Sequence, residues 1–169
     1  STPTLSAGVN LTTLSFPYVT FLEDINGDGK LDIIVSQQSG ASIGVFLNTT
    51  TPGASIPTFS SRFDFNTAAG PTYIAVGDLN SDGKPDVAAA CNTAGSISVL
   101  LNTTTPGSAT PTFAAHVDFS SGTTAWSVIF GDFNLDGKLD MAGINKGANT
   151  MSVFLNTTTL GSSTPTFGA

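Results

Sequence analysis

Apolar residues along the chain fall in short runs bounded by turn formers. Ile33-Ile34-Val35 and Ile74-Ala75-Val76 are β-branched and brief, and Gly, Asn, Pro, Ser and Thr crowd the stretches between such runs. This pattern predicts short strands. No stretch keeps a 3.6-residue period long enough for a helix of ordinary length. In the region 113–155 it predicts four strands. The first runs from Phe113 to Phe119, alternating around Val117, and the second from about Ser127 to Gly131. The third runs from about Leu139 to Ile144. A Gly/Asn turn, Lys146 to Thr150, leads to the fourth, Met151 to Leu155.

The pattern repeats. Asp24-Ile25-Asn26-Gly27-Asp28-Gly29-Lys30-Leu31-Asp32 returns at Asp78–Asp86 and at Asp132–Asp140, each time 54 residues on. The run Asn48-Thr49-Thr50-Thr51 returns at Asn102 and Asn156, and Pro-Thr-Phe stands at Pro57, Pro111 and Pro165. The chain therefore divides into repeats 1–54, 55–108 and 109–162, with 163–169 opening a further one. Four strands per repeat is the unit of a β-propeller blade, so the predicted fold is all-β.

Composition sharpens this. Charged residues make up only 10% of the 169, and the 12 Phe fit a strand-rich core better than a helical bundle. No apolar run approaches the roughly 20 residues a membrane helix needs, so membrane insertion is not expected. No leader is visible, as in a mature or excised segment. Of the 12 acidic residues, all but Glu23, Asp64 and Asp118 lie in the three Asp loops, and the net charge is −7. Three bound Ca2+ would bring that to −1. The acidity reads as ligand charge, and it excludes nucleic acid as a partner. One cysteine, Cys91, excludes an internal disulfide. One histidine, His116, leaves neither a zinc site nor a Ser-His-Asp triad a plausible basis.

The loop has the chemistry of a calcium site. Calcium takes six to eight oxygens, several of them anionic. Positions 1, 3 and 5 supply side chains and position 6 is always Gly, which permits the sharp turn. Position 7, Lys30, Lys84 or Lys138, can offer its carbonyl, and position 9 closes the shell. The opening is like that of an EF-hand loop. Position 12, however, is Val35, Ala89 or Gly143 instead of Glu, and strands flank the loop instead of helices. An Asx-rich turn without metal is the alternative. Three copies in register favour metal, because unneutralised neighbouring carboxylates repel.

Asp-x-Asn-x-Asp-Gly-x-x-Asp between two strands, in four-stranded repeats, resembles the FG-GAP/VCBS repeats of integrin α-subunit propellers and of many secreted bacterial proteins. Phe130-Gly131 keeps the Phe-Gly of the family name. Val76-Gly77 and Leu22-Glu23 do not, and no copy has the Gly-Ala-Pro half. The resemblance implies structural calcium, about three ions per chain. The implied ligands are Asp24, Asn26, Asp28, Lys30 and Asp32, then Asp78, Asn80, Asp82, Lys84 and Asp86, then Asp132, Asn134, Asp136, Lys138 and Asp140. It also implies an extracellular or cell-surface, non-catalytic binding or adhesion module.

Three blades are too few for a ring. The chain opens with an outermost strand, Pro3 to Asn10, while the third triplet, ending at Leu155, has no outer strand of its own. Two chains exchanging these strands would close a six-bladed homodimer; the alternative is an open fragment of a longer protein. Tyr18, Tyr73 and Trp126 stand at the entrance to the inner strands. There they could stack on a sugar ring, with Gln37, Asn92 and Lys146 adding polar contacts, or simply pack between blades. His116 reads as a surface strand residue and Cys91 as a buried thiol. The Asn-Thr-Thr runs match the glycosylation sequon but read more simply as a recurring turn. Three functions remain open: a binding module for protein or carbohydrate, an assembly fragment with no ligand beyond itself, and an accessory propeller of a secreted polysaccharide-active enzyme.

Overall fold

Each Asp loop reverses the chain between two strands, and each Gly/Asn turn reverses it again, so the chain folds as a series of antiparallel meanders. A computed structural model describes residues 8–168. Twelve strands form three separate four-stranded antiparallel sheets. The first sheet is β1 (Pro17–Glu23), β2 (Asp32–Gln37), β3 (Ser42–Phe46) and β4 (Phe63–Asn66), in that order. The second is β5 (Pro71–Gly77), β6 (Asp86–Cys91), β7 (Ser96–Leu100) and β8 (Val117–Ser120). The third is β9 (Ala125–Gly131), β10 (Asp140–Asn145), β11 (Thr150–Asn156) and β12 (Phe167–Gly168). These sheets are β-propeller-like blades, and successive blades pack through their faces. Among the described residues no helix is long and apolar enough to cross a membrane.

Blade and repeat are out of phase, because the outer strand of each blade is encoded in the following repeat. The outer strand also differs from its expected form. Phe113 to Phe119 is not one ladder: Phe113 makes a single bridge to Asn102, and regular pairing resumes only at Val117. Phe59 and Asn48 repeat this in blade 1. A second correction concerns blade 3, which does begin its own outer strand. Phe167 pairs with Asn156 and Gly168 with Leu155, the same Asn–Phe rung as in the other blades. The first predicted strand, Pro3 to Asn10, lies largely outside the described residues. Residues 8–14 form no strand, but Arg62 donates to the Thr12 carbonyl at 2.7 Å and Leu14 N donates to Gln37 Oε1 at 2.7 Å.

The core lies between blades and not within one. Ile34, Ile43, Val45 and Leu47 of the first blade meet Ile74, Val87 and Leu100 of the second. One repeat later, Ala88, Ile97 and Val99 meet Val128, Met141 and Phe154. With both faces covered, β6 and β7 are buried at every position. This is why the Ala88-Ala89-Ala90 run reads as continuous rather than alternating.

Candidate metal centre

The three Asp loops fold alike. In the first, Asp24 accepts the amides of Asp28 at 3.0 Å and of Gly29 at 2.7 Å, and Asp28 accepts the amide of Lys30 at 3.0 Å. Asp78 and Asp82 do the same for Asp82 N, Gly83 N and Lys84 N, as do Asp132 and Asp136 in the third loop. The turn needs a left-handed residue at position 6. Gly29, Gly83 and Gly137 supply it with φ of 83°, 83° and 86°. A Cβ at any of the three would meet nothing within 4 Å, so the backbone angle and not crowding demands glycine. Position 4 is left-handed as well. Gly27 suits it, whereas Ser81 (φ 58°) and Leu135 (φ 62°) carry side chains there.

The position-9 aspartates play a role the pattern did not reveal. Asp32 accepts Ile25 N through Oδ2 at 2.9 Å and Asn48 N through Oδ1 at 2.7 Å. Asp86 and Asp140 repeat both bonds, to Leu79 and Asn102 and to Phe133 and Asn156. Each carboxylate thus staples the start of its loop to the end of the blade's third strand. All three are wholly buried, and among the described residues none has a cationic side chain as a partner. Burial, with the negative charges of Asp82 and Asp78 adding to it, pushes the Asp86 carboxyl up to about 7 against the pull of its two amide donors. Burial likewise raises Asp32.

Whether calcium fits can be judged from these donors. Among the described residues no three His, Cys, Asp or Glu side chains converge as a ready cluster, because the position-1 and position-5 carboxylates are turned onto loop amides. The donor set is nonetheless all oxygen, and the buried position-9 charge has no counter-ion among the described residues. Both features suit a hard cation. The residues that could hold it are those expected: side chains at positions 1, 3, 5 and 9, and the carbonyl at position 7.

The Asn-Thr-Thr run turns out to be a clamp between blades. Asn102 donates Nδ2 to the Ile25 carbonyl and Asn156 to that of Leu79, both at 2.9 Å. Gly107 N reaches Asn26 O at 2.6 Å, and Asn26 Nδ2 donates to Ser108 O at 2.9 Å. Gly161, Asn80 and Ser162 repeat the pair. Each of the first two Asp loops is therefore capped by the next blade. Asn102 and Asn156 are buried in doing so, which removes them as glycan acceptors in the folded chain. Sequence spacing pointed to this only as a coincidence of periods, since Asn48, Asn102 and Asn156 recur in step with the loops.

Tyr18, Tyr73 and Trp126 do come together. Tyr18 lies edge-on to Tyr73 at 5.9 Å and to Trp126 at 5.6 Å, and Lys146 Nζ sits 4.1 Å from the Trp126 ring centre. They gather at the end away from the Asp loops. Gln37, expected beside them, is instead wholly buried and donates to Asp64. His116 precedes β8 and lies 3.0 Å from Asp118, and Cys91 is fully buried, its thiol pushed up by burial.

No curated protein matches the chain. The sequence model of the FG-GAP-like repeat matches twice, over residues 24–89 and 78–143. Each match takes in two Asp loops, and together they span well over half the chain, which belongs to the FG-GAP-like repeat family.

Proposed function

We propose that the chain is a non-catalytic, calcium-dependent β-propeller module of an extracellular or cell-surface protein, and that it presents a binding surface to a carbohydrate or protein ligand. The observation carrying the calcium reading is Asp86. It is a fully buried carboxylate flanked by two more acids, with amide donors but no cation. A divalent ion at each loop supplies positive charge there. The chain's own part is to hold Asp24, Asn26, Asp28 and Asp32, and their counterparts, on a glycine-hinged turn beside the next blade. Calcium in this reading is structural. Repeats of this family are typically non-catalytic. The only imidazole stands at a blade's outer edge, where it shares a shallow hollow with Asp64, and most carboxylates are engaged in the loops, which argues against acid–base chemistry.

Dialysis against trace calcium followed by elemental analysis should find about three equivalents per chain, and fewer than two defeats the reading. Melting temperature should fall clearly in chelator, because an ion bound only to the native state adds about 4 kcal/mol at 1,000-fold excess over its Kd. Asp82→Ala should abolish part of the calcium effect while His116→Ala leaves it intact. For the ligand surface, the aromatic cluster is the candidate. Sugar binding read as a change in Trp126 fluorescence, lost in Tyr18→Ala, supports it. A blank glycan array favours an assembly module with no ligand beyond itself.

A further inference from the structure

The two blade interfaces inside the chain are copies of one pattern, and the chain carries both halves of a third copy, one on the exposed face of blade 3 and one on the part-covered far face of blade 1. Val45 and Val99 occupy one position 54 residues apart, and Ile43 and Ile97 another; all four are at 0% exposure against the next blade. The third members of these series are Val153 and Met151. They are 50% and 65% exposed, with Ile129 and Ile144 beside them also in solvent. The receiving half stands on the far face of blade 1. Leu22, Ile33 and Phe46 there match Val76, Val87 and Leu100, which receive the first interface. Leu22 is 54% exposed, whereas Phe46, at 4%, is already covered beside a hollow lined by Asn10 to Thr12, a segment that an incoming blade has to displace.

The polar clamp is split in the same way. Asn156 Nδ2 bonds both Leu79 O of the preceding blade and Leu139 O of its own. Among the described residues Asn48 Nδ2 keeps only the bond within its blade, to Leu31 O at 3.1 Å. Asn26 and Asn80 give their amides to Ser108 and Ser162 of the next blade. Asn134 turns its amide back to its own Asp136 at 3.1 Å. Before Leu155, among the described residues, β11 also has no partner along its outer edge.

We propose that two copies of this chain close a six-bladed ring, blade 3 of each packing on blade 1 of the other. The partner's Asn48 then clamps the carbonyl of Phe133, and the partner's Gly53 and Ala54 cap Asn134. The occupant is a second copy because the interface is the one the chain already makes twice internally, in the same residues and register. Three blades would need about 120° each to close alone, against about 60° each in a ring of six. Closure covers Met151 and Val153 and re-aims the Asn134 side chain. The third Asp loop is thereby completed by the partner; that last consequence rests on the proposed function, whereas the ring does not.

Sedimentation of the full chain from micromolar to submillimolar protein, with calcium and separately with chelator, tests the ring. The expected mass in calcium is twice that of one chain. Val153→Asp should halve it with an unchanged circular dichroism spectrum, since the residue is half in solvent in the single chain. This variant should keep about two calcium equivalents. A wild-type chain that stays monomeric throughout, or that forms open polymers, overturns the ring, and so does a dimer indifferent to Val153→Asp. If that variant does not fold, the wild-type mass alone decides. A dimer that binds no calcium upholds the ring and sinks the calcium reading separately.

Discussion

Asn102 reaches across 77 residues of sequence to hold the carbonyl of Ile25 at 2.9 Å, while its own backbone amide is held by the buried Asp86 at 2.8 Å. One asparagine thus joins the Asp loop of its own blade to the Asp loop of the blade before. Its Oδ1 also caps Thr104 N at 2.9 Å. Asn102→Ala should leave Ile25 O and Thr104 N without partners in a dry site and cost about 1–3 kcal/mol. Thermal or urea unfolding measures this, and a loss no larger than that of exposed Thr49→Ala would show the clamp to be idle.

The raised Asp86 carboxyl sets the pH response of calcium-free protein. Its folded value is about 7 against 3.8 for the free group, so between these the folded state holds a proton that the unfolded chain has released. Stability in chelator should therefore fall as pH climbs from about 4 to about 7 and level off above, by a few kcal/mol at most. Asp32 acts with the same sign. Asp86→Asn should be flatter over this window than wild type, and calcium should flatten the wild type too. Equal slopes for the two proteins in chelator would contradict the assignment.

Left-handed positions in the loop make opposite predictions for two neighbouring residues. Ser81→Gly relieves a side chain held at φ 58°, whereas Gly83→Ala forces one into φ 83°. Neither change removes packing, since both sites are open to solvent. The first should stabilise by up to about 1 kcal/mol and the second destabilise by about 1–2 kcal/mol. Melting curves in calcium should move in opposite directions.

Cys91 offers a probe of blade opening. Buried at 0% exposure and hydrogen-bonded toward Ser98, its thiol should react with an exchange reagent only when the first and second blades part. The folded protein should show less than one-hundredth of the rate of the denatured chain. Rapid labelling of native protein would mean that the interface between blades 1 and 2 opens freely.

The blade, its four strands and the three loops were readable because each rests on local chemistry repeated at a fixed period: alternating apolar residues, and the Asp-x-Asn-x-Asp-Gly turn. What escaped reading depends on contacts between distant segments. The Asn-Thr-Thr run looked like a turn because its carboxamide partner, Ile25 O, lies in another repeat. Position 9 looked like a fourth equivalent ligand, although Asp32 is buried and stapled where Asp24 and Asp28 are not. The break between Phe113 and Val117 was hidden by an alternation that continues through it. Gln37 seemed a surface polar group, yet Asp64 of the outer strand draws it inside.

Because the outer strand of every blade lies in the repeat that follows, synthesis and folding run out of step. When Leu47 emerges, the first three strands of blade 1 can pair, but β3 has an open edge until Phe63–Asn66 is made. The next blade starts at Pro71, almost at once. With about 5–20 residues added per second, the stretch from Leu47 to Asn66 leaves that edge open for roughly 1–4 s, and each repeat renews the interval. During that interval a strand from a neighbouring nascent chain competes for the edge with the chain's own, so crowding of ribosomes on one message bears directly on how often blades pair with the wrong molecule.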